Sequence, residues 1–171
     1  RGLMGYTSRF LTLTKGTGVI NRIFHGYGKF EGEMDGRKNG ALISMSTGKA
    51  VAFAIFNLQA RGEMFVTHND PVYEGMIVGL TPKPGDMIIN VMKGKQLTNM
   101  RTQGTDENVV LTPVRQMSIA EQLSILNTDE ALEITPKSLR LRKAILNPND
   151  RKKKEKTGTP LELKLFPTIY R

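Results

Sequence analysis

The side chains best suited to acid–base, nucleophilic or metal chemistry are scarce in this sequence. His25 and His68 are the only histidines among 171 residues, and there is no cysteine. That removes disulfide frameworks, thiolate zinc sites, iron–sulfur clusters and cysteine nucleophiles together, and leaves almost no material for a histidine metal centre or pH switch. His68-Asn69-Asp70 reads as a structural loop, because adjacent loop side chains rarely converge on one ligand without outside partners. Glu130 and Glu133 read as exposed charges beside a strand rather than as paired catalytic carboxylates. A phosphate-binding P-loop needs Gly-Lys followed by Ser or Thr. The Gly-Lys pairs here run into Phe30, Ala50 and Gln96, so none qualifies. Gly16-Thr17-Gly18 and Gly26-Tyr27-Gly28 lack the third glycine of a dinucleotide loop and read as a helix stop and a connection. Metal, cofactor and catalytic residues are therefore expected to be absent from this chain.

Positive charge is the remaining chemical resource. Between Lys93 and Gly104 three cations, Lys93, Lys95 and Arg101, occur with no acid before Asp106, interleaved with Gln96, Thr98, Asn99 and Gln103. Such a loop can hold phosphates through its cations while the amides and hydroxyl reach bases or riboses. An ordinary solvated hairpin connection is the other reading. The formal net charge is +9, but residues 1–136 carry 14 basic and 13 acidic residues, whereas 137–156 carry nine and two. This block, Lys137 through Lys156, suits a polyanion, because each neutralised phosphate releases counterions. A solvated tail is the alternative; no amphipathic helix with an aromatic face supports a membrane surface.

The elements that must carry these residues follow from local pattern. Leu3, Tyr6, Phe10 and Leu13 predict a helix with one apolar face, stopped by Gly16 and Gly18, with a strand at Val19 to Phe24 behind it. Five glycines between Gly26 and Gly40 mark a boundary. A strand is expected at Ala41 to Met45, then a helix capped by Ser46 or Thr47, with Ala50, Val51, Ala54, Ile55 and Leu58 as its stripe and Gly62 as its end. Short strands are expected at Met64 to Thr67, Met76 to Leu80, Met87 to Met92 and Val109 to Thr112. Ser118 and Glu121 form a capping box opening a helix whose buried side would be Ile119, Leu123 and Leu126. Ala131 to Thr135 and Ser138 to Arg142 read as a hairpin across Pro136. In its second strand Leu139 and Leu141 alternate with Arg140 and Arg142, so one face is apolar and the other cationic. Beyond Leu146, Asn147-Pro148-Asn149-Asp150 either caps a basic helix or leads into a disordered tail, and the division taken for 151–171 is a disordered basic tail. The longest apolar stretch, Ala50 to Leu58, is half a membrane span, and Arg1 to Tyr6 lack the order of a secretory signal, so a cytoplasmic setting is expected.

Several longer words make the reading sharper. Arg1-Gly-Leu-Met-Gly-Tyr6, Phe10-Leu-Thr-Leu-Thr-Lys-Gly-Thr-Gly18, Gly48-Lys-Ala-Val-Ala-Phe-Ala-Ile-Phe-Asn-Leu-Gln59, Val72-Tyr-Glu-Gly-Met-Ile77, and Leu97-Thr-Asn-Met-Arg101 with Gly104-Thr-Asp-Glu107 resemble, in order, the carboxy-terminal region of the BipA/TypA family of translational GTPases. The resemblance implies an α+β fragment. Residues 1–36 would be the second half of a ferredoxin-like domain, as in elongation factor G, plus a linker. Residues 37–150 would be a β-rich family-specific domain with two or three helices. It implies a ribosome-binding, non-catalytic piece contacting large-subunit rRNA and the acceptor end of A-site tRNA, with roles in large-subunit assembly and stress adaptation, and with no DNA or membrane partner. GTP and magnesium would belong to an absent amino-terminal domain. The RNA-binding set becomes Lys93, Lys95, Gln96, Thr98, Asn99, Arg101, Gln103, Arg140, Arg142 and Lys143. A protein-interaction module docking on neighbouring domains or a regulatory partner is the competing reading.

Overall fold

The computed structural model describes residues 3, 6–29, 32, 37–94 and 110–157. Its core grows from a four-residue apolar run, Ala41–Ser44 (β1), in which every residue is buried. A strand buried on both faces must sit in the middle of a sheet. β1 pairs antiparallel with Ile77–Leu80 (β5) and parallel with Met87–Ile89 (β6), while Glu63–Met64 (β3) pairs with β5 on its far side.

Alternation along these strands sorts the core into two layers. Leu42 and Val78 point to one side, where Ile55, Leu58, Val66 and Val91 complete a cluster. Ala41, Ile43 and Ile77 point to the other, against Leu141, with Phe65, Met117 and Leu132 packed around them. The first layer is covered by the helix Ala52–Gln59 (α2), which buries Ala54, Ile55 and Leu58. The second is covered by a hairpin, Glu130–Ile134 (β7) with Leu139–Lys143 (β8), and by the helix Ile119–Ser124 (α3). The result is an α+β, three-layer arrangement.

Several sequence expectations need correction. α2 begins at Ala52 behind Val51, with no side-chain cap, so Ser46 and Thr47 do not cap it. Gly48–Lys49 (β2) instead pairs with Pro71–Val72 (β4), and the Ala50 and Val51 amides donate to Asp70 and Val91 carbonyls, which holds the chain extended up to the helix. No strand forms at Val19 to Phe24: Val19, Ile23 and Phe24 are exposed, with no neighbouring strand to pair with among the described residues. Residues 110–112 are likewise not a strand, and Val109 lies outside the described residues. The Ser118 capping box forms with both its hydrogen bonds, yet α3 leaves Ile119 and Leu123 largely exposed and buries Gln122; Met117, Ile125 and Leu126 at its ends supply the packing.

The opening helix Tyr6–Leu13 (α1) is present, and stops as expected where Gly16 takes φ +80° and its amide donates to the Leu11 carbonyl. At the other end of the domain Pro148–Thr157 is a helix (α4). Residues 151–157, assigned to a disordered tail from charge alone, are therefore helical. Asn147 Oδ1 accepts from the Asn149 and Asp150 amides, satisfying donors that a helix start otherwise leaves open.

Gly75 is the hinge of this assembly. Its φ is +83°, and a Cβ there would meet the Leu146 Cα at 2.6 Å. Its amide donates to the Ser44 carbonyl and its own carbonyl accepts from Lys143, so one residue joins the sheet to the hairpin. Gly75→Ala is expected to lower stability by about 2 kcal/mol from backbone strain, and more if Leu146 cannot shift. Urea denaturation should show a lower midpoint with an unchanged m-value; an unmoved midpoint would refute the assignment.

Candidate nucleic-acid interface

The hairpin decides which basic side chains face outward. Its register sets Glu130 opposite Lys143, Leu132 opposite Leu141 and Ile134 opposite Leu139 on one face. Ala131 opposite Arg142 and Glu133 opposite Arg140 form the other. The first face turns to the core, and Lys143 goes with it.

Lys143 is 1% exposed. Its Nζ lies 2.5 Å from Asp86 Oδ2, 2.6 Å from Asp129 Oδ2 and 3.0 Å from Glu130 Oε1. Arg37 grips Glu130 with both guanidinium nitrogens, at 2.6 and 2.8 Å, and donates through the same fork to the Ile125 carbonyl. Asp86 also accepts from the Ala41 amide at 2.7 Å, and Glu130 from the Asn127 amide at 3.1 Å. Two corrections follow. Lys143 is not available to a phosphate, and Glu130 is a buried partner rather than an exposed charge. The signal was legible in part: Lys143 falls on the Leu139/Leu141 side of the alternation, not on the arginine side. Arg37, Asp86 and Asp129 carried no local signal, because they meet only in three dimensions.

Burial by itself pushes the Asp86 carboxyl up, but the hydrogen bonds from Lys143 and the Ala41 amide, with the Lys143 and Arg37 charges, outweigh it, so Asp86 sits below the usual carboxylate range. Burial likewise pulls the Lys143 ammonium down. Its hydrogen bonds to Asp129 and Asp86 and the Glu130 charge outweigh that and hold it above the usual lysine range.

On the outward face Arg140 lies 3.5 Å from Glu133, and Arg142 donates to the Lys143 carbonyl. Both are half-buried. Tyr73 reaches the same face, its hydroxyl donating to Glu133 at 2.7 Å. Burial first, and then Glu133, raise that phenol well above its ordinary value, against the pull of Arg142 and Arg140. The cationic strand face is thus real, but it is shared with a carboxylate. Lys93 is exposed. Lys95, Gln96, Thr98, Asn99, Arg101 and Gln103 lie outside the described residues.

Among the described residues, α4 presents an open positive surface. No residue of this helix is buried, Asp150 stands in its first turn and Lys154 and Lys156 in its last, each complementing the helix dipole. Arg151 turns back to donate to the Ile145 and Leu146 carbonyls, which anchors the helix to the domain. Lys152, Lys153 and Lys156 are exposed. Among the described residues no group of His, Asp or Glu side chains is placed to hold a metal ion, and no helix is long and apolar enough to cross a membrane.

Comparison with known proteins fits this geometry. Residues 39–148, the span from the foot of β1 to the start of α4, match the family model described as the TypA/BipA C-terminal domain. The chain belongs to the TypA/BipA family. It is 48% identical over 162 residues to a protein of Buchnera aphidicola named "Large ribosomal subunit assembly factor BipA", covering 94% of this chain and 27% of that protein. Proteins of the same name from Salmonella typhimurium and Escherichia coli K12 are each 47% identical over 154 residues, covering 90% of this chain and 25% of theirs. The chain thus spans about a quarter of the length of these relatives, and Arg37, which closes the buried ion cluster, lies two residues ahead of the matched span.

Removing one partner from such a cluster strands the others. Lys143→Met is expected to cost about 3–5 kcal/mol, because three carboxylates lose their shared cation. The signs of the shifts fix the pH dependence. The Asp86 contribution is present above about pH 4 and lost as pH falls through its lowered value. The Lys143 contribution is present below about pH 10.4 and lost as pH rises through its raised value. Thermal unfolding across pH should show a plateau between these limits, with the acid limb flattened in Lys143→Met; an unaltered acid limb would show that the cluster contributes nothing there.

Proposed function

We propose that this chain is the ribosome-facing carboxy-terminal part of a translational GTPase, and that it holds RNA by position without performing chemistry. The observation that carries the reading is α4: a helix with no buried residue, which presents Lys152, Lys153 and Lys156 to solvent. Its attachment to a domain of the TypA/BipA family, whose relatives are named large ribosomal subunit assembly factors, supports ribosomal RNA as the polyanion. Lys93 opens the loop for which contact with large-subunit rRNA and the acceptor end of A-site tRNA is proposed, through Lys95, Gln96, Thr98, Asn99, Arg101 and Gln103. Arg140 and Arg142 add a flank, and Lys143 is withdrawn from the set. GTP and magnesium would act in a domain outside this chain, switching its docking, in cytoplasmic large-subunit assembly and stress adaptation.

Residues 1–36 would be the second half of a ferredoxin-like domain plus a linker. Their open side chains, among them Val19, Ile23 and Phe24, support this, since a half-domain leaves apolar surface for its other half to cover. The same surface favours the second reading, a module that docks on protein.

Salt dependence separates the two. Binding of a single-stranded RNA should weaken steeply with salt, and Lys152/Lys153/Lys156→Ala should lower the log–log slope by about 2 units, at about 0.7 per phosphate contact. Lys93/Lys95/Arg101→Ala should do the same independently. Co-sedimentation with large ribosomal subunits that persists unchanged in high salt would instead favour an apolar protein interface.

A further inference from the structure

A groove of about 570 Å³ lies between α3 and the β7–β8 hairpin, within the size range of small-molecule sites. Phe65, Ile77 and Leu141 belong to its apolar floor, and Ile119 and Ile134, both widely exposed, flank it. Arg115, Lys137 and Arg140 are its charged residues, and no carboxylate lines it. Arg115 is shared with Glu63 and Glu121, and Arg140 with Glu133, all at 3.4 to 3.7 Å. Lys137, at the exposed hairpin turn, has no carboxylate within 4 Å among the described residues. Thr135 and Ser138 satisfy each other across that turn.

Gln122 lines the same groove and is only 8% exposed. Its Nε2 donates to the Met117 carbonyl at 3.3 Å, which leaves Oε1 as an acceptor, and Oε1 has no partner among the described residues. A buried acceptor without a donor calls for one.

We infer that this groove receives one unstacked nucleotide of single-stranded RNA, its base between Ile119 and Ile134, its phosphate at Lys137, and an amine of the base donating to Gln122 Oε1 once that closed-off amide turns toward the groove. The chemistry selects this occupant. An apolar slot with a cationic mouth fits an amphiphilic anion, and a fatty acid, which also fits that description, brings no N–H to Gln122. Single-stranded RNA is read by this means, with a splayed base held on apolar or planar groups and hydrogen-bonded along its edge. An acceptor at that point favours a base with an exocyclic amine over uracil, whose edge is two carbonyls around one N–H. The inference rests on the RNA-facing reading above and names a seat within it.

The test uses the full chain with the hexamers rA6, rC6 and rU6, followed by fluorescence anisotropy at low salt and by amide NMR shifts. Wild type should prefer rA6 or rC6 to rU6, with shifts at Ile119, Gln122 and Lys137. Gln122→Leu should remove the preference, at a loss of about tenfold. Ile119→Trp, which fills the groove from an exposed position and spares the core, should do the same. Lys137→Ala should weaken all three hexamers equally. If both groove variants bind like wild type while Lys152/Lys153/Lys156→Ala loses binding, the groove assignment fails and the RNA reading stands. If wild type binds no hexamer, both fail. Groove shifts produced by an acidic peptide such as (Glu-Leu)4 and by no oligonucleotide would overturn the inference in favour of a polypeptide.

Discussion

The Lys143 ammonium, enclosed by Asp86, Asp129 and Glu130, is the constraint on which the rest of the domain depends. Lys143, Arg37 and Glu130, buried together with Asp86 and Asp129 at their more exposed rim, are a poor source of net stability, since well-packed apolar side chains of equal volume do as well or better. What they fix is register. Slipping β8 by one residue would turn Lys143 outward, away from Asp86 and Asp129, and would carry Leu139 and Leu141 to the solvent face. The cluster therefore excludes the slipped hairpin. In doing so it commits Arg140 and Arg142 to the outer face, where Glu133 and Tyr73 organise them.

The candidate RNA surfaces inherit that choice. α4 starts four residues after Ala144, whose amide donates to the Asp129 carbonyl, so its direction follows from the end of β8. The groove is formed where α3 and the hairpin cover the same layer of the sheet, over Phe65 and Ile77. Gly75 completes the linkage, since its left-handed backbone lets the sheet accept the hairpin edge at a point where any Cβ would meet Leu146. A rigid scaffold of this kind suits positional binding: phosphates meet charges whose spacing was set during folding, and little ordering remains to be done on contact.

Much of this was legible from local signals. The spacing of Tyr6, Phe10 and Leu13 marked α1, the Ser118–Glu121 box marked α3, and Pro136 between alternating runs marked the hairpin. Each signal acts within a few residues and survives whatever the rest of the chain does. The failures share a different cause. Ser46 and Thr47 looked like caps, but pairing of Gly48–Lys49 with Pro71–Val72 overrode that preference. Val19 to Phe24 has strand-forming residues and no edge to join among those described. α3 has too few turns for a stripe of Ile119 and Leu123 to matter, so the core is met by residues at its ends. The buried cluster was invisible because its members lie between 13 and 106 residues from Lys143, and composition records charge without recording who neutralises it.

That last point changes what a net charge of +9 means here. Long-range attraction of a polyanion depends on the summed field, to which every charge contributes, buried or not. The salt dependence of binding depends only on cations that reach phosphates. The block from Lys137 to Lys156 therefore has two different values. Its field is reduced by the buried cluster beside it, which holds one more anion than cations. Its contacts are reduced further, because Lys143 is enclosed, Arg151 is turned to backbone carbonyls and Arg140 is shared. Among the described residues, the remaining cations of this block with no carboxylate within 4 Å are Lys137 at one end, Arg142 on the hairpin, and Lys152, Lys154 and Lys156 of α4 at the other. On the reading proposed above, an RNA strand held at separated points would be oriented, and orientation rather than affinity is what positional binding requires.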